Sequence, residues 1–287
     1  MFRNQYDTDI TTFSPAGRLH QVEYALEAVK QGACAVGLVS KDWALVGSLK
    51  RAASELASYQ QKVFQIDSHM GIAASGLISD ARVLAQYMRN ECLNHRYVYA
   101  APMPTERLVS KLSDKAQHFT QKADKRPYGV GLLVAGFDPQ TGPHLFQTEP
   151  SGIYYEYKAQ AIGARAQSAK TYLEKNYDSF ADASLDDLVR HVLHALKGAS
   201  QKKLTSRNVC VGFVGRDGEF KLLEGDAIRA HVAAVTNEDD EDEDEEEAKK
   251  KKAGAAAAEE KEEKDEAEQK AREEEEAARQ AQQAMHE

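Results

Sequence analysis

The last fifty residues of this 287-residue chain contain no Val, Ile, Leu, Phe, Tyr or Trp. A segment without those side chains cannot bury enough apolar surface to offset the entropy lost on ordering. Residues 238–287 are therefore expected to be a charged, low-complexity tail, disordered or transiently helical. All nine Phe, all twelve Tyr and the single Trp lie before position 238. That leaves 237 residues for globular structure, large for one domain but within range for an α/β or two-layer fold. No apolar run approaches the ~20 residues of a membrane span. The opening Met1-Phe2-Arg3-Asn4-Gln5-Tyr6-Asp7 has polar and acidic residues where a secretory leader needs a continuous apolar stretch. Cysteine is scarce. Cys34, Cys92 and Cys210 are odd in number and widely spaced, which excludes a disulfide framework and suits a reducing compartment, cytosol or nucleus.

Charge of one sign is also missing from most of the chain. The formal net charge is −9, from 37 Lys and Arg against 46 Asp and Glu. Residues 238–287 hold 22 of the acids and nine of the bases, or −13, so residues 1–237 carry +4. A nearly neutral body without a basic cluster has no nucleic-acid footprint. The expectation is a soluble intracellular protein with neither a nucleic-acid nor a membrane partner.

Patterning divides the body into alternating blocks. Residues 1–17 are polar and extended, ending in the turn signal Ser14-Pro15-Ala16-Gly17. Leu19, Val22, Leu26 and Val29 then mark one helical face over residues 18–31, with Gly32 placed to end it. Ala33–Val39 and Trp43–Leu49 read as an antiparallel hairpin, and Lys62–Ile66 with Met70–Ser75 as a second strand pair. Ser79 and Asp80 can cap a helix through Val83, Leu84, Tyr87, Met88 and Leu93. Pro104-Thr105-Glu106 opens another through Leu108, Leu112, Ala116 and Phe119. Tyr128–Phe137 is a long strand, and further strands run to Ile162. Two helices follow, at about 166–177 and at 184–199, the second bracketed by Ser184 and Gly198. A last hairpin, Val209–Val214 with Phe220–Leu223, precedes a short helix near 232. Hairpin-linked strands with paired helices predict an α+β fold with two antiparallel sheets packed face to face between helix pairs.

Ordinary catalytic motifs are absent. There is no P-loop, no Gly-x-Ser-x-Gly elbow and no His-Glu-x-x-His. His191 with His194, and Cys92 with His95, stand three apart but lack a third ligand, so they read as polar residues on solvated helix faces. Gly129-Val130-Gly131 with Gly136 has neither the dinucleotide spacing nor a strand-to-helix turn. Small residues for close sheet packing explain it better.

The most specific feature is the run Tyr6-Asp7-Thr8-Asp9-Ile10-Thr11-Thr12-Phe13-Ser14-Pro15-Ala16-Gly17-Arg18-Leu19-His20-Gln21-Val22-Glu23-Tyr24-Ala25. It resembles the N-terminal signature of the alpha subunits of the 20S proteasome. Further blocks resemble the same family in the same order: Lys30-Gln31-Gly32, Ala74-Ser75-Gly76-Leu77 with Asp80-Ala81-Arg82, Arg126-Pro127-Tyr128-Gly129-Val130 and Ala161-Ile162-Gly163. Together they span about residues 2–235. The opening Phe2–Asp7, Gly163-Ala164-Arg165 and Lys170–Glu174 single out one subunit type within the family.

The resemblance implies the N-terminal-nucleophile hydrolase fold, a four-layer αββα sandwich. It also implies a non-catalytic structural subunit of a seven-membered alpha ring, contributing to assembly, entry-pore gating and docking of regulatory particles in ubiquitin-dependent protein breakdown. Other alpha subunits, the beta subunits below and regulatory particles above are the implied partners, with a cytoplasmic and nuclear location and no cofactor or metal. In the catalytic beta relatives a terminal Thr is nucleophile and, through its amine, base. Matching Val36-Gly37 to their pattern places Ala33 at the nucleophile position and Leu49 near the Asp position, while a lysine survives at Lys62. A one-residue slip would place Cys34 there instead, giving an alternative: an independent hydrolase of this fold using Cys34 after processing. Tyr6, Asp7, Pro15 and Gly17 fall on the family's gate segment, residues 1–17. Lys62 matches the pocket lysine that receives a regulator's C-terminal carboxylate.

The tail has two parts. Glu238–Glu247 is an unbroken acidic block, and from Glu259 onward favourably ordered pairs such as Glu260/Lys264 and Glu268/Arg272 can support a transient solvated helix. Lys249–Lys252 can serve as a nuclear-import patch, but reads better as charge balance beside the acidic block.

Overall fold

A computed structural model describes residues 6–54 and 56–236. The chain divides into a compact unit, Met1–Val235, and a second unit, Thr236–Glu287. The tail expected over 238–287 lies outside the described residues.

The body holds two five-stranded antiparallel sheets. The first orders β10 (Lys221–Leu223), β9 (Val209–Gly215), β2 (Trp43–Leu49), β1 (Ala35–Val39) and β8 (Ala159–Ile162). The second orders β3 (Val63–Asp67), β4 (Met70–Gly76), β5 (Val130–Asp138), β6 (Gly142–Thr148) and β7 (Tyr154–Glu156). Helices α1 (His20–Gln31), α2 (Ile78–Tyr99), α3 (Thr105–Gln121), α4 (Ala166–Asn176) and α5 (Leu185–Ala199) accompany them, with a 3₁₀ turn at Tyr177–Asp182 and helical residues 226–236.

Strand periodicity explains the layering. Alternate residues of a strand face opposite sides of its sheet. Leu45 of β2 packs outward on α4 and α5 residues such as Leu173, Leu188 and Val192, whereas Ala44 and Val46 face the other sheet. In β5, Leu132 and Val134 meet α2 and α3 through Leu84, Met88 and Leu108, whereas Leu133 and Ala135 face inward. Ile162, Cys210, Val214 and Phe220 complete the filling between the sheets. The order is helices, sheet, sheet, helices. The four-layer αββα sandwich expected from the sequence is the observed fold, because strands buried on both faces need apolar residues at every position and β5 and β9 supply them.

Several local expectations need correction. Ser79 and Asp80 do not cap α2. The helix starts at Ile78 after Leu77, with no side-chain cap, and Asp80 is drawn instead into an ion pair with Arg126. Val83 and Leu93, expected on the buried face of α2, are exposed, while Ala81, Leu84, Ala85, Met88 and Cys92 form that face. Ser184 does cap α5, accepting from the Asp187 N–H, but Gly198 lies inside the helix. There its missing Cβ leaves room for Ser168 Oγ, which donates to the Gly198 carbonyl at 2.8 Å. The histidines of α5 are not on a solvated face. Tyr172 of α4 covers both, its hydroxyl 3.0 Å from His191 Nδ1 and its ring stacked on His194. Burial accordingly lowers the His191 pKa.

Candidate functional site

The end of the sandwich at which β1 begins carries most of the residues singled out by sequence. Gly32 ends α1 with an extended backbone, φ −61°, so left-handed geometry is not what selects glycine here. Proximity is: a Cβ would lie 2.1 Å from the Gly76 nitrogen and 2.4 Å from Ser75 Oγ. Three consecutive carbonyls are then engaged. Gly32 O accepts from Ala164 N at 2.7 Å, Ala33 O from Ser75 Oγ at 3.1 Å, and Cys34 O from Leu49 N at 3.0 Å and Ser48 Oγ at 3.2 Å. Ala33 is buried, and its side chain is a methyl group with no hydroxyl. The Gly32–Ala33 linkage joins α1 to β1 within this network.

Cys34 directs its side chain into the layer between the first sheet and α4–α5. Burial pushes its thiol up to about 12. Since the thiolate is the nucleophile, the environment suits a small core residue and not an activated cysteine.

Lys62 precedes β3 at the same end, where its carbonyl accepts from Ala74 N. Only 3% of the residue is exposed, and no hydrogen bond or ion pair to its ammonium is found among the described residues. Desolvation, followed by the Arg51 charge, lowers its pKa to about 8. Arg51 itself is exposed, its guanidinium 3.5 Å from the Gln31 carbonyl. Lys62 and Arg51 thus place two cationic side chains close enough for one to depress the other's pKa.

Residues 6–19 run up to α1 under several restraints. Ser14 N donates to Arg18 O at 2.9 Å, Gly17 N to Ser14 O at 2.8 Å, and Arg18 N to Ser14 Oγ at 3.1 Å, which closes the reverse turn around Pro15. Gly17 sits at φ +73° with nothing within 4 Å of where a Cβ would lie, so conformation alone favours glycine. Asp7 is held by α1: Gln21 Nε2 donates to its carbonyl and Tyr24 OH to its carboxylate at 3.1 Å. Arg18 forms a two-pronged pair with Glu23, the second contact at 2.8 Å. Tyr6 is half-buried, and residues 1–5 of the expected gate segment lie outside the described residues.

The blocks around Asp80, Arg126 and Gly129, which patterning does not connect, converge in the fold. Arg126 pairs with both Asp80 oxygens at 2.7 and 2.8 Å, Gly129 N donates to the same carboxylate at 3.0 Å, and Leu77 N donates to Gly129 O at 2.9 Å. The Arg126 hydrogen bonds lower the Asp80 pKa. Gly131 lies against Val29, and Ser75 Oγ reaches the Val29 carbonyl at 3.0 Å, so this clamp seats α1 on β4 and β5. The glycines of the Gly129–Gly136 run serve close packing, as expected: a Cβ on Gly136 would meet Thr105 Oγ1 at 2.3 Å. Ser75 is the residue that patterning misses; its signal is a lone hydroxyl inside an otherwise apolar strand.

Among the described residues no three His, Cys, Asp or Glu side chains gather to hold a metal, and no helix is long and apolar enough to cross a membrane.

Comparison with known proteins is consistent across the body. The family model described as "Proteasome subunit" matches residues 29–214, and the model for the N-terminal signature of A-type proteasome subunits matches residues 6–28. "Proteasome subunit alpha type-1" of Dictyostelium discoideum is 55% identical over 241 residues, covering 83% of this chain and 97% of that protein. "Probable proteasome subunit alpha type-6" of Schizosaccharomyces pombe is 51% identical over 226 residues, 78% of this chain and 83% of that protein. "Proteasome subunit alpha type-1" of Drosophila melanogaster is 48% identical over 238 residues, 81% and 85% respectively.

Proposed function

The chain belongs to the proteasome alpha-subunit family, and on that premise we propose that it is a non-catalytic structural subunit of the 20S alpha ring. The observation that carries this reading is the sealed start of β1. Ala33 has no hydroxyl, and the carbonyls of residues 32–34 are all engaged. A nucleophile-plus-amine mechanism finds no hydroxyl at Ala33 to work with. The alternative through Cys34 gains no support from a buried thiol pushed up to about 12.

Function then resides in surfaces. The segment before α1 has a firm base, the Ser14–Arg18 turn and the Asp7 contacts to Gln21 and Tyr24, which suits a gate over the entry pore whose root stays fixed while its tip rearranges. Lys62 with Arg51 suits capture of a regulator's terminal carboxylate at a seam with a neighbouring alpha subunit. The partners are the other alpha subunits, the beta subunits and regulatory particles, and the compartments are cytosol and nucleus.

Co-expression with the other ring subunits tests the proposal. The chain should enter an alpha ring stacked on beta subunits, and Lys62→Ala should weaken regulator-stimulated peptide hydrolysis while leaving assembly intact. A chain that remains outside every ring would defeat the structural role. Unchanged stimulation and unchanged regulator affinity would defeat the docking role alone.

A further inference from the structure

We propose that Thr141, His144 and Glu156 form a nucleophile–base–orienter relay that makes Thr141 an acyl acceptor, at a place unrelated to the sealed Ala33 position. β5 ends at Asp138 and β6 begins at Gly142, leaving residues 139–141 as the turn. Gly142 takes φ +92° with nothing within 4 Å of where a Cβ would lie, and this reversal brings Thr141 back over its own strand. Thr141 Oγ1 lies 2.6 Å from His144 Nε2, and His144 Nδ1 lies 2.5 Å from Glu156 Oε1. Glu156 arrives through strand pairing: it stands opposite Phe146 in the β6–β7 register, and His144 is two residues from Phe146 on the same face. The imidazole stacks on Phe146, centroids 5.9 Å apart at 24°, and Tyr154 meets the Phe146 ring edge-on.

Counting donors fixes the direction of the relay. A carboxylate only accepts, so Nδ1 must carry the hydrogen. In the neutral ring Nε2 then holds the lone pair, and the Thr141 hydroxyl donates to it. That is the arrangement in which a base withdraws a proton from an attacking oxygen while a third group orients the base. Thr141 is exposed and the His144 side chain is 19% exposed, so the nucleophile is accessible while the base is partly sheltered. Because Thr141 stands at the surface and not in a cleft, the substrate class is small, activated acyl donors such as aryl esters and thioesters. Thr141 Oγ bonds to the acyl carbon, its proton passes to His144 Nε2, and the acyl–oxygen or acyl–sulfur bond breaks to release the phenolate or thiolate. The imidazolium, held by Glu156, returns its proton to solvent, leaving an ester on Thr141. Here His144 is the base and Glu156 a positioning residue.

The test uses the full chain with p-nitrophenyl acetate, following p-nitrophenolate release and mapping acetylated residues by peptide mass spectrometry. Thr171, exposed but bonded to its own helix at the Gln167 carbonyl, serves as the internal reference. General-base assistance predicts acetylation of Thr141 at least ~100-fold faster than of Thr171. His144→Gln should bring Thr141 down to the Thr171 rate, and added imidazole should restore part of the difference. Glu156→Gln should slow it to an intermediate rate, and Thr141→Val should remove the adduct without altering the melting temperature. Acetylation of Thr141 no faster than of Thr171, or an unchanged rate in His144→Gln, would overturn the assignment. So would a lost rate that imidazole fails to restore in a folded His144→Gln protein.

Discussion

Native thiol reactivity should separate a core cysteine at position 34 from a nucleophile. An ordinary thiol with a pKa near 8.5 is roughly 3% thiolate at pH 7, whereas one pushed up to about 12 is on the order of 0.001% thiolate, a difference of roughly 3,000-fold before access is considered. Cys92 and Cys210 are buried and pushed up to about 12 as well, so neither adds a fast-reacting background. The assay is release of thionitrobenzoate from a disulfide reagent, first on the folded full chain at pH 7 and then in guanidinium. Folded protein should show no equivalent reacting on the timescale of a free thiol, and unfolding should expose all three. Cys34→Ala removes one sulfur from a packed layer, which should cost about 1 kcal/mol, and should lower only the unfolded count. One equivalent reacting within minutes in the folded chain, and lost in Cys34→Ala, would instead establish a reactive cysteine at the start of β1.

Three further outcomes follow from the same end of the fold. Asp80→Asn should lower stability by about 1–3 kcal/mol, because the Gly129 N–H and the Arg126 guanidinium lose a charged acceptor, while Arg126→Ala should cost less since that side chain is 63% exposed. The Asp80 pKa is lowered in the folded state, so its contribution is complete above the ordinary carboxylate range and fades as pH falls below it; urea midpoints of wild type and Asp80→Asn should converge on acidification. Lys62 has a folded pKa lowered to about 8, so the unfolded state binds more protons between about 8 and the ordinary lysine value near 10.4; stability should rise with pH across that window, and a Lys62→Met protein should lack the rise. Gly32→Ala, whose methyl would meet backbone at 2.1 Å, should destabilise by about 2 kcal/mol or more, whereas Gly17→Ala, with open space but φ +73°, should cost about 1–2 kcal/mol locally; hydrogen exchange should show faster opening of residues 14–18 only in the latter.

Much of the fold was legible because its strands are bounded by turn residues and its helices come in pairs. The hairpins β1–β2, β3–β4 and β9–β10 fall where alternation and turn chemistry put them. What patterning could not supply was the partner of each polar group. Asp80 reads as a helix cap, and only the fold, by bringing Arg126 across from a segment 46 residues away, makes it an ion-pair member instead. His191 and His194 look solvated on a helix considered alone, but Tyr172 of the neighbouring helix covers them. Gly198 resembles a terminator for the same reason; its role is contact with Ser168. At the site, the sequence shows that residue 33 is an alanine and residue 34 a cysteine, but not what surrounds them. The hydrogen bonds that seal residues 32–34 come from Ser48 and Leu49, from Ser75 and from Ala164, three separate stretches of chain, and no local pattern marks them as neighbours.

In its assembly this chain should keep the residues ahead of Ala33 attached and carry no chemistry at the start of β1. Mass spectrometry of particles purified through a C-terminal tag on this chain, measured first intact and then after dissociation, tests it directly. The expected result is a particle many times heavier than the chain, containing alpha and beta relatives, from which this chain dissociates uncleaved and unlabelled by a threonine-directed inhibitor that marks the catalytic beta subunits. A chain released with Ala33 or Cys34 as its first residue, or one carrying the inhibitor there, would contradict it.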